Sequence, residues 1–179
     1  IKSKFDRACT RPRDINQHMP YLLDMARKSE SVVEGGVRDV VSSWAFILGC
    51  AKEQGGVVTS YDISRHSYID DALEICKREG VVWNFVQQDW LTADVPECDL
   101  LFIDTLHTYT QLSQELRQLS KKARRWIVMH DTVLFSAVGE DKSTPGLWAA
   151  MKEFIREDKG WRMVEHSTYQ NGLTTLERK

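Results

Sequence analysis

Close cysteine pairs are missing from this chain: Cys9, Cys50, Cys76 and Cys98 are separated by 41, 26 and 22 residues. That spacing excludes zinc ribbons and redox motifs, which need two thiols a few residues apart. Cys50 and Cys76 fall in apolar helical patterns and are expected as small core hydrophobes, so a reducing, cytoplasmic setting is the default. No apolar run approaches the roughly 18 residues that span a bilayer, and no cationic start leads into a signal segment. The expectation is a soluble protein without a membrane partner. Because the chain opens on Ile1 rather than Met, native sequence is expected to precede it. With 4 Pro and 10 Gly in 179 residues, fibrous and low-complexity classes are excluded. A strong charge of either sign is also lacking, the net value being −2. The one dense cationic cluster, Lys121, Lys122, Arg124 and Arg125, is expected at a helix end, and the acidic balance argues against a nucleic-acid partner. Two phosphate-binding motifs are absent as well. A G-x-G-x-x-G starting at Gly36 meets Arg38 and Val41 where glycines are required, and no G-x-x-x-x-G-K-[ST] occurs anywhere.

What is present is a regular alternation of short β-branched runs and amphipathic stretches. A polar opening leads to a helix carrying Met19, Leu22, Leu23 and Ala26, with Asp14 or Asn16 as its cap. Residues 1–30 therefore read as an N-terminal helical segment packing on a single domain, 31–179. The domain runs strand "SVVEGG", helix 40–54, strand "VVTSYDI", helix 66–79 and strand "VVWNFVQ". Strand "DLLFID" and a helix striped by Tyr109, Leu112, Leu116 and Leu119 follow, then "RRWIVMHD" and helix 146–158. Two closing strands, "GWRMVEHST" and "NGLTTLER", are linked so tightly that they must be antiparallel neighbours. The central strands are apolar on both faces, as a buried parallel sheet requires. The sum predicts an α/β fold of three layers, with five βα units and a terminal hairpin on a seven-stranded, mostly parallel sheet whose last strand is antiparallel.

Ligands bind such sheets beyond the carboxyl ends of the strands. Acidic residues mark those ends: Glu34, Asp62, Asp104 and Asp131, with Asp89 a few positions past the third strand. Turns favour Asp for their own reasons, which accounts for one or two such residues but poorly for five on one rim. Trp44 and Trp148 fall on helical stripes and read as core. The irregular stretch "FSAVGEDKSTPG" (135–146) directly follows the fifth strand and reads as a lid or binding loop.

Glu34-x-Gly36, Asp62 one strand later, "QQDW" around Asp89, "FIDTLHTY" and "MHDT" together resemble the class I S-adenosylmethionine-dependent methyltransferases. Within them the chain looks most like the small metal-dependent O-methyltransferases, the branch of macrolide sugar O-methyltransferases and cephalosporin-hydroxylase-like proteins. The resemblance covers about residues 14–179 and is strongest over 32–48, 99–112 and 126–132. It implies a Rossmann-like methyltransferase fold, S-adenosylmethionine as cofactor and Mg²⁺ as metal. It also implies a small hydroxylated acceptor, whether sugar, phenol, antibiotic or nucleotide, and is compatible with a homo-oligomer.

Carried over residue by residue, the resemblance makes Glu34, Gly35, Gly36, Arg38, Ser42, Asp62, Gln88 and Asp89 cofactor-binding. Gly36 passes the methionine part, Asp62 takes the ribose hydroxyls, and Gln88 and Asp89 lie near the adenine. Glu34 orients the turn or bonds water near the cofactor amine. Arg38 or Ser42 meets the carboxylate, unless Arg38 simply pairs with Asp39. Asp104 and Asp131 are the implied metal ligands and His107 the base. His130, a soft partner for Mg²⁺, orients the site or touches substrate. One departure stands out: Val40 occupies a position where relatives carry glycine, and a β-branched residue disfavours positive φ. Either the helix starts earlier or the pocket is narrower, with Gly35 compensating upstream. The alternative to an enzyme is a non-catalytic binding module or partner subunit of the same fold.

Overall fold

The computed structural model describes residues 1–179 throughout. Its elements run α1 (Lys2–Thr10), a 3₁₀ turn (Asn16–His18), α2 (Met19–Arg27), β1 (Ser31–Gly35), α3 (Ser43–Phe46) and β2 (Val57–Asp62). Then come α4 (Ser67–Arg78), β3 (Trp83–Gln87), β4 (Cys98–Ile103), α5 (Tyr109–Leu119), β5 (Ala123–His130), α6 (Leu147–Glu157), β6 (Trp161–Ser167) and β7 (Leu173–Arg178). The seven strands form one sheet in the order β3-β2-β1-β4-β5-β7-β6, with β7 antiparallel to both of its neighbours. That is the predicted α/β architecture.

Strand parity explains the three layers, because successive side chains leave opposite faces. Val32, Leu100, Phe102, Trp126 and Val128 join an apolar cluster with α1, α2, α3 and α4. Their neighbours Val33, Leu101, Ile103, Ile127 and Met129 join a second cluster with α5 and α6. The reversal of sheet order between β1 and β4 opens the crevice in which such folds bind ligands.

Several expectations are corrected. The opening is helical from Lys2, so the N-terminal segment holds two helices, not one. Neither Asp14 nor Asn16 caps α2: the Asn16 amide donates to the Cys9 carbonyl, and Asp14 takes a bond from Arg38. Helix 40–54 begins only at Ser43 and widens into π-helical turns over Ile47–Glu53. There are four βα units rather than five, since β3 reaches β4 through turns closed by Thr92 and Ala93 N–H on the Asp89 and Trp90 carbonyls. Pro96, without an N–H, further opposes a helix there. Of the cationic cluster, only Lys121 and Lys122 follow a helix end, that of α5; Arg124 and Arg125 lie within β5, where the strand "RRWIVMHD" had them. Trp44 is buried as expected, whereas Trp148 is only half-buried and packs on His166.

Candidate active site

The polypeptide leaves β1 through a turn that is left-handed three times before α3 begins, at Gly36 (φ 86°), Arg38 (φ 43°) and Val40 (φ 61°). Glycine is required at the first. A Cβ on Gly36 would stand 2.0 Å from the Asp104 carbonyl oxygen. Gly35 is constrained differently, by the Trp90 indole, whose Cη2 would lie 2.4 Å from an added Cβ. Val40 neither starts the helix early nor narrows the site. It takes the strained conformation itself and is 1% exposed, its side chain sunk in the α1–α4 cluster. Burial of an isopropyl group is worth roughly 1.5–3 kcal/mol, enough to hold a conformation that costs about 1–2 kcal/mol.

Beyond this turn lies a cavity of about 480 Å³, bounded by the carboxyl ends of β1 to β4. Gly35, Gly36, Arg38, Ser42, Asp62, Gln88, Asp89, Asp104 and His107 all line it, which places most of the sequence-derived candidates around one opening. Asp62 staples the turn: one oxygen accepts the N–H groups of Val37 and Arg38 at 2.9 and 3.0 Å, and the other accepts Ser64 N–H at 2.8 Å. Arg38 pairs with Asp14 at 3.1 Å rather than with Asp39, which Arg13 holds at 2.9 Å. These two pairs bring the 13–15 segment over the turn, and Ile15 joins the cavity wall.

Glu34 does not line the cavity. It is fully buried beneath the turn, where its oxygens accept hydroxyl bonds from Ser42, Ser43 and Ser60 at 2.6–2.7 Å. Burial pushes its carboxyl up to about 7 against the lowering effect of those three bonds. Glu34 therefore fixes the turn from below, and the Ser42 hydroxyl is committed to it.

The second half of the site is a charge cluster. His107 Nε2 lies 3.1 Å from Asp104 Oδ1 and 3.0 Å from Asp131 Oδ2, while its Nδ1 meets Glu140 Oε2 at 2.9 Å. Its ring stacks on Phe135 at 4.9 Å. Burial works to lower the imidazole, but the Asp104 bond and the Asp104 and Asp131 charges outweigh it and raise it to about 9. With acceptors on both nitrogens, the ring is an imidazolium, which has no lone pair to take a proton. In this arrangement His107 is a counter-ion, and only its neutral form can serve as a base.

His130 and Asp131 stand behind Asp104, outside the cavity wall. His130 is 2% exposed, with Nδ1 3.3 Å from Asp104 Oδ1 and Nε2 donating to the Asp14 carbonyl at 3.2 Å. Its partners raise it despite burial. For Asp104, burial is outweighed by the His107 and His130 bonds, which hold its carboxyl far below the usual range. Asp131 is raised, chiefly by burial, and its backbone is left-handed at φ 59°.

One ligand atom each from Asp104, Asp131 and His107, the last only in its neutral form, lie within 4.8 Å of one another, and Asp131 Oδ1 is buried without a hydrogen bond, its nearest cationic neighbour being His130 Nδ1 at 3.6 Å. Two carboxylates with an orphaned oxygen suit a hard divalent cation. Sequence reasoning missed Glu140, Ile15, Trp90, Thr105 and Gln111. Glu140 had a signal as an acid within the 135–146 loop, and Trp90 and Thr105 lie inside the motifs "QQDW" and "FIDTLHTY".

No protein-family model matches the chain, and no curated protein matches it by sequence. Solved structures do match by fold. An O-methyltransferase from Bacillus cereus in complex with S-adenosylhomocysteine superposes with TM-score 0.68 at 15% identity, covering 91% of this chain and 81% of that one. TomG, an O-methyltransferase from Streptomyces achromogenes involved in tomaymycin synthesis, was solved with S-adenosylmethionine and gives 0.68 at 16% over 92% and 80%. The N-methyltransferase NodS from Bradyrhizobium japonicum, bound to S-adenosylhomocysteine, gives 0.65 at 14% over 98% and 97%. The chain thus has the fold of S-adenosylmethionine-dependent methyltransferases. Since the matches include an N-methyltransferase, the fold leaves the acceptor atom to the site. No helix is long and apolar enough to cross a membrane.

Proposed function

We propose that the chain is an S-adenosylmethionine-dependent O-methyltransferase, Mg²⁺-assisted, that methylates a hydroxyl of a small molecule. The observation that carries this reading is the junction of two features at one opening. The Gly36 turn and Asp62 shape one side of the cavity, and Asp104 and His107, backed by Asp131, form the other.

The cavity, about 480 Å³, is of the size that holds a cofactor or drug-sized molecule. Asp62, on this reading, offers its remaining acceptor capacity to the ribose hydroxyls while keeping the turn in place. Gln88 and Asp89 flank the adenine, and Arg38, whose Nη2 Asp14 takes, offers its remaining N–H groups to the methionine carboxylate. Asp104 and Asp131 would hold the divalent ion, which when bound lowers the pKa of an acceptor hydroxyl. His107, stacked on Phe135, sits where it can take the hydroxyl proton once neutral. Glu140 and the 135–146 loop border the acceptor side.

The test is release of S-adenosylhomocysteine, followed by mass spectrometry, over a panel of sugar, phenol and nucleotide hydroxyls with and without Mg²⁺. Methylated product that needs Mg²⁺ supports the reading. Binding of S-adenosylhomocysteine with no transfer to any hydroxyl, or transfer only to amines, defeats it.

A further inference from the structure

Glu115 lies on α5 among Leu112, Leu116 and Leu119, all buried, and is itself 0% exposed. A position of that kind is ordinarily filled by an aliphatic residue, because an ionisable group loses its hydration there. Its Oε1 accepts three hydrogen bonds: from the Trp90 indole Nε1 at 2.9 Å, the Thr105 hydroxyl at 2.5 Å and the Gln111 amide at 2.9 Å. The donors come from the turn after β3, the segment after β4 and the first turn of α5. All three donor residues line the cavity.

Each of these contacts has a consequence for the site. Trp90 is the ring against Gly35, so its tilt sets the cavity floor. Thr105 lies between Asp104 and His107 in the chain, so its anchoring fixes the segment that carries both. The other oxygen, Oε2, is buried without a partner, and a void of about 10 Å³ bounded by Glu115, Thr105, His107 and His130 lies alongside. A leucine would fill the space but hold none of the three donors.

We propose that Glu115 is a positioning residue for the cofactor cavity, acting by tying Trp90, Thr105 and Gln111 to one buried oxygen. The proposal rests on reading the cavity as the adenosyl-cofactor site. Holding the wall rigid before the ligand arrives removes an ordering cost from binding.

The experiment compares Glu115→Leu and Glu115→Gln by calorimetric titration with S-adenosylhomocysteine and by the indole N–H resonance of Trp90 in the ligand-free protein. Glu115→Leu should weaken binding at least tenfold and shift the Trp90 signal while speeding its solvent exchange. Glu115→Gln, whose amide oxygen still accepts, should bind within threefold of the parent. A folded Glu115→Leu protein with parental affinity and an unmoved Trp90 signal overturns the proposal, even if its melting temperature has dropped. Should Glu115→Leu fail to fold, Thr105→Val removes one donor and leaves the carboxylate in place. About threefold weaker binding is then expected, and parental affinity counts against the proposal. If the parent protein itself does not bind S-adenosylhomocysteine, the cofactor reading falls, and the Trp90 signal in the variants still decides whether Glu115 holds the wall.

Discussion

Asp131 Oδ2 lies 3.0 Å from His107 Nε2, while the other oxygen of the same carboxylate is buried with no hydrogen bond. His130 Nδ1, at 3.6 Å, is too far to bond that oxygen, so a divalent ion would satisfy it better. Mg²⁺ or Mn²⁺ at about 100 times its Kd should therefore stabilise the protein by about 2.7 kcal/mol, and at about 2–4 °C per kcal/mol this is roughly 5–11 °C in Tm. Asp131→Asn should abolish the shift, and chelation should reverse it. A parent protein whose melting ignores both ions would show the cluster to be an ion-pair network alone.

Asp62 does two things that substitution can separate. Its carboxylate holds the Val37 and Arg38 N–H groups, and it faces the cavity. Hydrogen bonds to a charged acceptor contribute roughly 1.5–3 kcal/mol, so Asp62→Ala should lower stability by about 2 kcal/mol in urea and weaken S-adenosylhomocysteine at least tenfold. Asp62→Asn keeps an acceptor and should fall between. Parental affinity in a folded Asp62→Ala protein would remove Asp62 from the cofactor site.

Val40→Gly sets strain against burial. Glycine relieves about 1–2 kcal/mol of left-handed strain, but deleting a fully buried isopropyl group forfeits roughly 1.5–3 kcal/mol and leaves a cavity. The expected balance is a net loss of about 1 kcal/mol in chemical denaturation. Because Val40 faces the core, affinity for S-adenosylhomocysteine should stay within twofold of the parent. A gain in stability would mean that strain outweighs packing here.

How legible this was in the sequence depends on distance along the chain. Periodicity exposed the strands and helical stripes, because Val32 against Val33, or Leu112, Leu116 and Leu119, state their faces locally. The acidic rim was equally legible, since Asp62 and Asp104 fall where strands stop. Glu34 holds the turn, as one of its two readings had it, but it does not reach the cavity as a cofactor-binding residue would. It shares the parity of Val32, which faces α3, and that alternation already pointed it beneath the turn. Val40 misled because local propensity disfavours positive φ, and only tertiary burial reverses that preference. Ile15 and Asp14 reach the site from a segment whose path no local pattern specifies, whereas Glu140 lies in the loop that length alone marked. Arg38 pairs with Asp14, 24 residues away, rather than with its neighbour Asp39 for the same reason.

Glu34 gives the stability a pH dependence whose sign follows from its burial. Its carboxyl is raised from 4.5 to about 7, so the folded state binds a proton more tightly than the unfolded chain does. Stability is unaffected by this group below about 4.5, declines as pH rises towards 7, and carries the full cost above 7. At about 1.36 kcal/mol per pH unit, that cost is on the order of 3 kcal/mol. Glu34→Gln cannot ionise, yet its amide oxygen can accept from Ser42, Ser43 or Ser60 as the hydroxyls rotate. The variant should be less stable than the parent at pH 5, where the parent's protonated carboxyl donates to one serine oxygen and accepts from the other two, whereas the Gln amide adds a second buried N–H with no partner. By pH 8 the gap should have narrowed by up to about 3 kcal/mol, measured by urea denaturation at both pH values. A gap that is constant between pH 5 and 8 would show that Glu34 ionises normally in the fold, and that its three serine partners compensate fully for the lost water.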